Sequence, residues 1–192
     1  LQPLQSIDTC VCMGASVSMA HGFEMADPKM ARNTVAILGD STFIHSGITP
    51  LIDILYNKGT STVVILDNSI TGMTGHQDNP TTGKTLKEES VPAVSLEKLC
   101  EAVGVKRIVV ADPFDLEQFE KVVKEEVAAE EPSVIIARRP CALLKGVKFP
   151  GPISINKDKC VNCKMCMKIG CPAISLKDGR PHIDETTCNG CG

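Results

Sequence analysis

Four short apolar runs, at residues 34–38, 61–66, 107–110 and 133–137, do most to limit what this chain can become. They are rich in Val and Ile and lack period-two alternation, so they read as strands buried on both faces, as in a parallel sheet. Helical patterns separate them. Thr49-Pro50 reads as the opening of one helix, with proline at the first helical position, Leu51, Ile54 and Leu55 on one face, and an end near Gly59. Ser95 reads as the cap of a helix over residues 96–103 that Gly104 terminates, and Asp115 as the cap of another, with Gln118 at the reciprocal capping-box position. This alternation specifies an α/β fold, a doubly wound parallel sheet with right-handed crossovers.

Beyond this pattern, cysteine replaces core. Of ten cysteines, six lie from Cys160 onward, while Cys10, Cys12, Cys100 and Cys141 are scattered. Cys160, Cys163 and Cys166 recur at two-residue intervals and are followed by Cys171-Pro172. Short turns of this kind let three thiolates wrap one [4Fe–4S] cubane while the fourth cysteine ligates the other cluster of a pair. Cys188-Asn189-Gly190-Cys191 opens a second run. The expectation is one cluster on Cys160, Cys163 and Cys166, and a second on Cys171, Cys188 and Cys191. A helix beginning near Pro172 would carry Cys171 towards the second. Four residues separate Cys166 from Cys171, where the common run has three. The competing reading is a structural zinc site, which also uses C-x₂-C pairs but needs only four ligands.

Residues 144–152, with two prolines and two glycines, forbid a helix and read as a linker. The expected division is a first domain over 1–148 and a small iron–sulfur domain over 149–192, whose folding energy metal would supply. The chain of 192 residues and 20.5 kDa has room for both. Its net charge of −3, without a Lys/Arg cluster, gives no case for nucleic acid. No apolar run approaches the ~20 residues that cross a bilayer, and the segregated cysteines argue for a reducing cytoplasm.

Gly39-Asp40-Ser41 follows the first strand, and the second ends in Asp67-Asn68-Ser69. Ligands of open α/β sheets bind at the carboxyl ends of strands. Two adjacent strands would bring Asp40 and Asn68 to one crevice, a carboxylate and an amide oxygen of the kind Mg²⁺ takes when phosphates complete its octahedron. The Gly72–Gly75 loop would follow such a ligand with its backbone. Ordinary helix caps and turns are the alternative at these positions.

Taken together, Gly39-Asp40-Ser41 and Asp67-Asn68-Ser69 resemble the Gly-Asp-Gly…Asn-Asn motif of thiamine diphosphate enzymes, departing from it at Ser41 and Ser69. Joined to the cysteine tail, they resemble the 2-oxoacid:ferredoxin oxidoreductases, nearest to the large (α) subunits that act on indolepyruvate. Residues 8–16, 39–47, 67–69, 73–77 and 137–141 and the Cys160–Cys171 run carry the resemblance across nearly the whole chain. It implies thiamine diphosphate with Mg²⁺ held by Asp40, Asn68 and the Ile70 carbonyl. It also implies cofactor contacts from Cys12, Met13, Gly14, Gly39, Ser41, Thr71 and Gly72, with Gly14 allowing close approach at the start of a small-residue helix over 15–22. His45 and His76, on loops, would carry protons or bind the substrate carboxylate. Arg138-Arg139 could bind a CoA phosphate, against the commoner alternative that paired arginines after a strand are simply solvated.

The implied activity is oxidative decarboxylation of arylpyruvates to acyl-CoA and CO₂, with a small β subunit and external ferredoxin as partners in a hetero-oligomer. The chain reads as a segment of a longer subunit, beginning inside the diphosphate domain and inactive without the rest. Three rivals are an oxidoreductase for pyruvate or branched-chain 2-oxoacids, a non-catalytic electron-transfer protein, and a zinc-ribbon interaction module on a Rossmann-like domain.

Overall fold

The computed structural model describes residues 4–191. They form two compact units, one over residues 11–144 and one over 145–191 together with 4–10. The larger unit is built on a four-stranded parallel sheet in the order β1-β2-β4-β3: β1 (Val35–Gly39), β2 (Thr62–Asp67), β3 (Arg107–Ala111) and β4 (Ser133–Arg138). The helices are α1 (Ala15–Ala26), α2 (Ile48–Tyr56), α3 (Leu96–Val103) and α4 (Leu116–Val127).

One sheet face carries the main core. Val17 and Ala20 of α1, Leu51 and Ile54 of α2, and Leu96 and Cys100 of α3 close over Leu38, Val63, Ile65, Val134 and Ile136. On the other face, Phe119, Val122 and Val123 of α4 pack against Val64, Ile135 and Ala137. Covered on both sides, β4 is buried from Ser133 to Ala137, and β2 is buried except at Leu66. β1 and β3 are edge strands among the described residues, and Ile37 of β1 is 51% exposed. Burial on both faces therefore holds for the two central strands and not for the outer two.

Local chemistry explains where several helices begin and end. Ser95 Oγ accepts the Lys98 N–H at 3.2 Å, and Gly104 closes α3 at φ 108°, a left-handed conformation suited to glycine. Asp115 Oδ1 accepts the Gln118 N–H at 3.2 Å at the start of α4. The expected start of α2 at Thr49-Pro50 is not what forms. Helical structure begins at Asp40, passes through a π-helical turn over Phe43–Gly47, and continues as α2 with Pro50 inside it. Proline cannot donate to the carbonyl four residues earlier. The ladder is already widened just ahead of it, with the Ile48 N–H bonded to the Phe43 carbonyl.

The smaller unit contains a short 3₁₀ helix, Met165–Ile169, and a hairpin of β5 (Ile174–Lys177) and β6 (Arg180–Ile183). The helix expected near Pro172 is absent. The Ile174 N–H bonds to the Cys171 carbonyl at 3.1 Å, closing a turn that leads directly into β5. Asp178 and Gly179, at φ 53° and 72°, form the hairpin's two-residue turn, the Asp-Gly pairing that left-handed hairpin turns favour. Residues 144–152 carry no helix or strand. No helix among the described residues is long and apolar enough to cross a membrane.

Candidate functional site

β1 and β2 run parallel with Gly39 opposite Leu66, so Asp40 and the Asp67–Asn68 pair leave the sheet side by side at its carboxyl edge. Asp40 opens the helical run and is only 3% exposed. Its Oδ1 accepts the Ser41 N–H at 2.8 Å, and its Oδ2 accepts hydrogen bonds from Thr81 Oγ1 at 3.2 Å and Asn79 Nδ2 at 3.4 Å. Burial pushes its carboxyl above the usual range, and the Asp67 charge adds to this, against the lowering effect of the hydrogen bonds. Among the described residues no Lys, Arg or His pairs with it.

The turn after β2 is fixed from several sides. Asp67 Oδ1 accepts the Ser69 N–H at 3.1 Å, and Asn68 Oδ1 accepts the Ile70 N–H at 3.2 Å. Ser69 takes the left-handed φ of 60° that this tight reversal demands. The Asp67 and Asn68 carbonyls accept the Arg139 and Cys141 N–H groups at 3.0 and 2.9 Å, so the turn stays tied to the segment leaving β4. Thr71 then pairs with Gln77 through two backbone bonds of 3.0 and 3.2 Å, closing a small loop. Thr71 Oγ1 accepts from Asn79 Nδ2 at 3.2 Å, which links this loop to Asp40.

A third segment approaches from the start of α1. The Ala15 N–H bonds to the Cys12 carbonyl at 3.1 Å, forming a turn that contains Met13 and Gly14. Ser46 Oγ donates to the Met13 carbonyl at 3.2 Å and to the Thr42 carbonyl at 3.3 Å, fastening that turn to the helical run that begins at Asp40.

The fold therefore gathers Asp40, Ser41, Asn68, Ile70 and Thr71 at one sheet edge and brings the Cys12–Gly14 turn against Ser46. His45 is exposed on the π-helical turn rather than on a loop, and His76 is exposed at φ 62°. No hydrogen bond joins either imidazole to Asp40 or Asn68. Cys100 is buried in the core, and burial pushes its thiol up to about 12, an inert group. Arg138 and Arg139 are both engaged with carboxylates, Arg138 with Asp67 and Glu97, and Arg139 with Asp112 at 2.5 Å while it covers the Phe114 ring. Neither stands ready for a CoA phosphate.

Sequence reading did not find Asn79, Thr81 or Ser46. Asn79-Pro80 marks a turn, but nothing local reveals that this turn folds back onto Asp40. In the smaller unit, Cys160, Cys163, Cys166, Cys171, Cys188 and Cys191 carry free thiols. Among the described residues no three His, Cys, Asp or Glu side chains are gathered as a metal cage. Thiolate sites are commonly completed by the metal itself.

Residues 1–137 match the family model described as "Thiamine pyrophosphate enzyme, C-terminal TPP binding domain". Two similar curated proteins are named indolepyruvate oxidoreductase subunit IorA. The one from Thermococcus kodakarensis is 36% identical over 100% of this chain and 33% of its own length. The one from Archaeoglobus fulgidus is 37% identical over 99% of this chain and 31% of its own. The chain thus spans about a third of these relatives. A solved 2-oxoglutarate:ferredoxin oxidoreductase from Magnetococcus marinus shares the fold, with a TM-score of 0.60 at 17% identity over 70% of this chain and 48% of that one.

Proposed function

Since the chain belongs to the family of C-terminal TPP-binding domains of thiamine pyrophosphate enzymes, we propose that it forms the diphosphate-binding part of a 2-oxoacid:ferredoxin oxidoreductase acting on arylpyruvates such as indolepyruvate. The observation that carries the reading is Asp40, a carboxylate buried at the end of a parallel strand with no cationic partner among the described residues. Buried charges are ordinarily paired or bound to metal. An acceptor of this kind, at the strand end beside the one that leads into Asn68 and Ile70, suits Mg²⁺ that retains phosphate oxygens as ligands.

In this reading Asp40, Asn68 and Ile70 hold Mg²⁺. Thr81 and Asn79 orient the Asp40 oxygens, and the Cys12–Gly14 turn with Gly39, Ser41, Thr71 and Gly72 lines the diphosphate. Bound thiamine diphosphate supplies carbanion chemistry at a 2-oxo carbonyl. The protein's part is placement and the exclusion of water. His45 and His76 are open to a substrate carboxylate or a proton. Cys160, Cys163 and Cys166 would hold one [4Fe–4S] cluster and Cys171, Cys188 and Cys191 a second, in a domain over 149–192. CoA is the acyl acceptor, ferredoxin the electron acceptor and a smaller subunit the partner, in the cytoplasm. The relatives' names support the arylpyruvate substrate.

Anaerobic assay of the intact protein with its partner subunit tests this. Indolepyruvate, CoA, thiamine diphosphate and Mg²⁺ together should reduce ferredoxin, with pyruvate and branched-chain 2-oxoacids turned over more slowly. Preference for pyruvate would contradict the substrate assignment. Ferredoxin reduction independent of thiamine diphosphate would contradict the whole reading.

A further inference from the structure

Arg138 ends β4 directly opposite Asp67, the last residue of β2. Its Nε donates to Asp67 Oδ2 at 2.6 Å, and its Nη1 donates to Glu97 Oε1 at 2.7 Å. One guanidinium thus bridges the end of a strand and the first turn of α3, where Ser95 Oγ donates to the other Glu97 oxygen at 3.0 Å. A planar fork with several donors can hold two carboxylates at fixed angles, which an ammonium cannot.

The bridge matters because of what Asp67 adjoins. It precedes Asn68, its Oδ1 caps the Ser69 N–H, and it lies beside the buried Asp40 with a side chain only 9% exposed. Two carboxylates at one sheet edge are two competing anionic ligands for any cation there. Arg138 occupies one of them and leaves the other unpaired. We propose that Arg138 is a positioning residue for the site's cation. It holds Asp67 against Glu97, fixes the 67–70 turn, and keeps Asp67 out of the coordination sphere so that Asp40 and Asn68 take the metal. The inference rests on reading Asp40 and Asn68 as the Mg²⁺ ligands.

Mn²⁺ is the probe, bound to the intact protein with thiamine diphosphate and followed by equilibrium titration and by its EPR spectrum. Losing a direct outer partner of a metal ligand costs about 10- to 100-fold in affinity. Arg138 acts one step further out, through Asp67, so Arg138→Met should weaken binding by no more than that, with an altered spectrum. Arg138→Lys should recover only part of the affinity. Asp67→Asn placed in the Arg138→Met background should recover more, because the competing charge is gone while the Ser69 cap remains. Glu97→Gln touches neither Asp67 nor Asn68, so it keeps the test open if Arg138→Met fails to fold. It should weaken Mn²⁺ binding by a smaller factor. Unaltered affinity and spectrum in both Arg138→Met and Glu97→Gln would overturn the proposal, as would failure of Asp67→Asn to restore binding. No Mn²⁺ binding by the unaltered protein would instead overturn the metal reading beneath it.

Discussion

Gly14 and Ser46 meet so closely that a Cβ on Gly14 would lie 2.1 Å from the Ser46 hydroxyl oxygen. Gly14 also sits at φ 84°, where an L side chain is strained. This contact joins the turn before α1 to the helical run that starts at Asp40. Gly14→Ala should therefore cost about 2–4 kcal/mol of stability, from the backbone strain together with the overlap. Adding Ser46→Ala, which removes the nearest atom, should return part of that loss in urea unfolding. Equal midpoints for Gly14→Ala and the unaltered protein would show that the turn is not packed as described.

Glu24 of α1 is 5% exposed and accepts from the Thr60 N–H at 2.5 Å, Thr60 Oγ1 at 2.8 Å and Ser61 Oγ at 2.6 Å. Burial pushes its carboxyl up, but the Ser61 and Thr60 hydrogen bonds outweigh this and hold it below the usual value. Glu24→Ala leaves three donors without their acceptor and should cost about 3 kcal/mol. The depressed pKa means that the Glu24 contribution is present above the ordinary value of 4.5 and fades as pH falls through the lowered one. The gap between Glu24→Ala and the unaltered protein should accordingly narrow on acidification.

Glu97 carries the same sign. The Arg138 hydrogen bond holds its carboxyl at about 2, so the pair stabilises the fold above about pH 4.5 and loses that contribution as pH falls towards 2. Glu97→Gln should lower the urea midpoint at pH 7 and do so less at pH 3. A difference that is constant with pH would count against the pairing.

The parts of this fold that sequence made legible are those decided within a few residues. Ser95, Gly104 and Asp115 bound their helices as their chemistry dictates, because capping is a contact between near neighbours. The β2 and β4 runs lacked alternation because both of their faces are covered. Pro50 misled because its missing N–H falls just after a π-helical turn over Phe43–Gly47, which the local spacing does not announce. The hairpin at Asp178-Gly179 is legible in its turn residues, because an Asp-Gly pair meets the left-handed φ values that such a turn requires. Asp40 and Asn68 were legible at neighbouring strand ends because β1 and β2, consecutive in sequence, are also adjacent in the sheet. Thr81 and Asn79 were not found, and Arg138 was read towards a CoA phosphate rather than towards Asp67. Each reaches the site through a contact tens of residues away in sequence, with Thr81 and Asn79 on Asp40 and Arg138 on Asp67.

Asp40 itself is placed for binding at some expense to the empty fold. Its raised pKa means that ionising it opposes folding, a penalty that begins above the ordinary value of 3.8 and is complete once pH exceeds the raised one. Asp40→Asn should therefore raise the urea midpoint at pH 7 in the absence of metal and cofactor, with less gain at pH 3. A lower midpoint at pH 7 would mean that the hydrogen bonds from Thr81 and Asn79 outweigh the buried charge.

Calorimetric titration of thiamine diphosphate into the intact protein, with Mg²⁺ and then with the metal chelated, shows whether Asp40 anchors the cofactor through a metal ion. Binding should be saturable and require Mg²⁺, and Asp40→Asn should weaken it by at least about 100-fold, beyond what losing an outer partner costs. Binding of equal strength in Asp40→Asn, or in the unaltered protein without divalent metal, would contradict that anchoring.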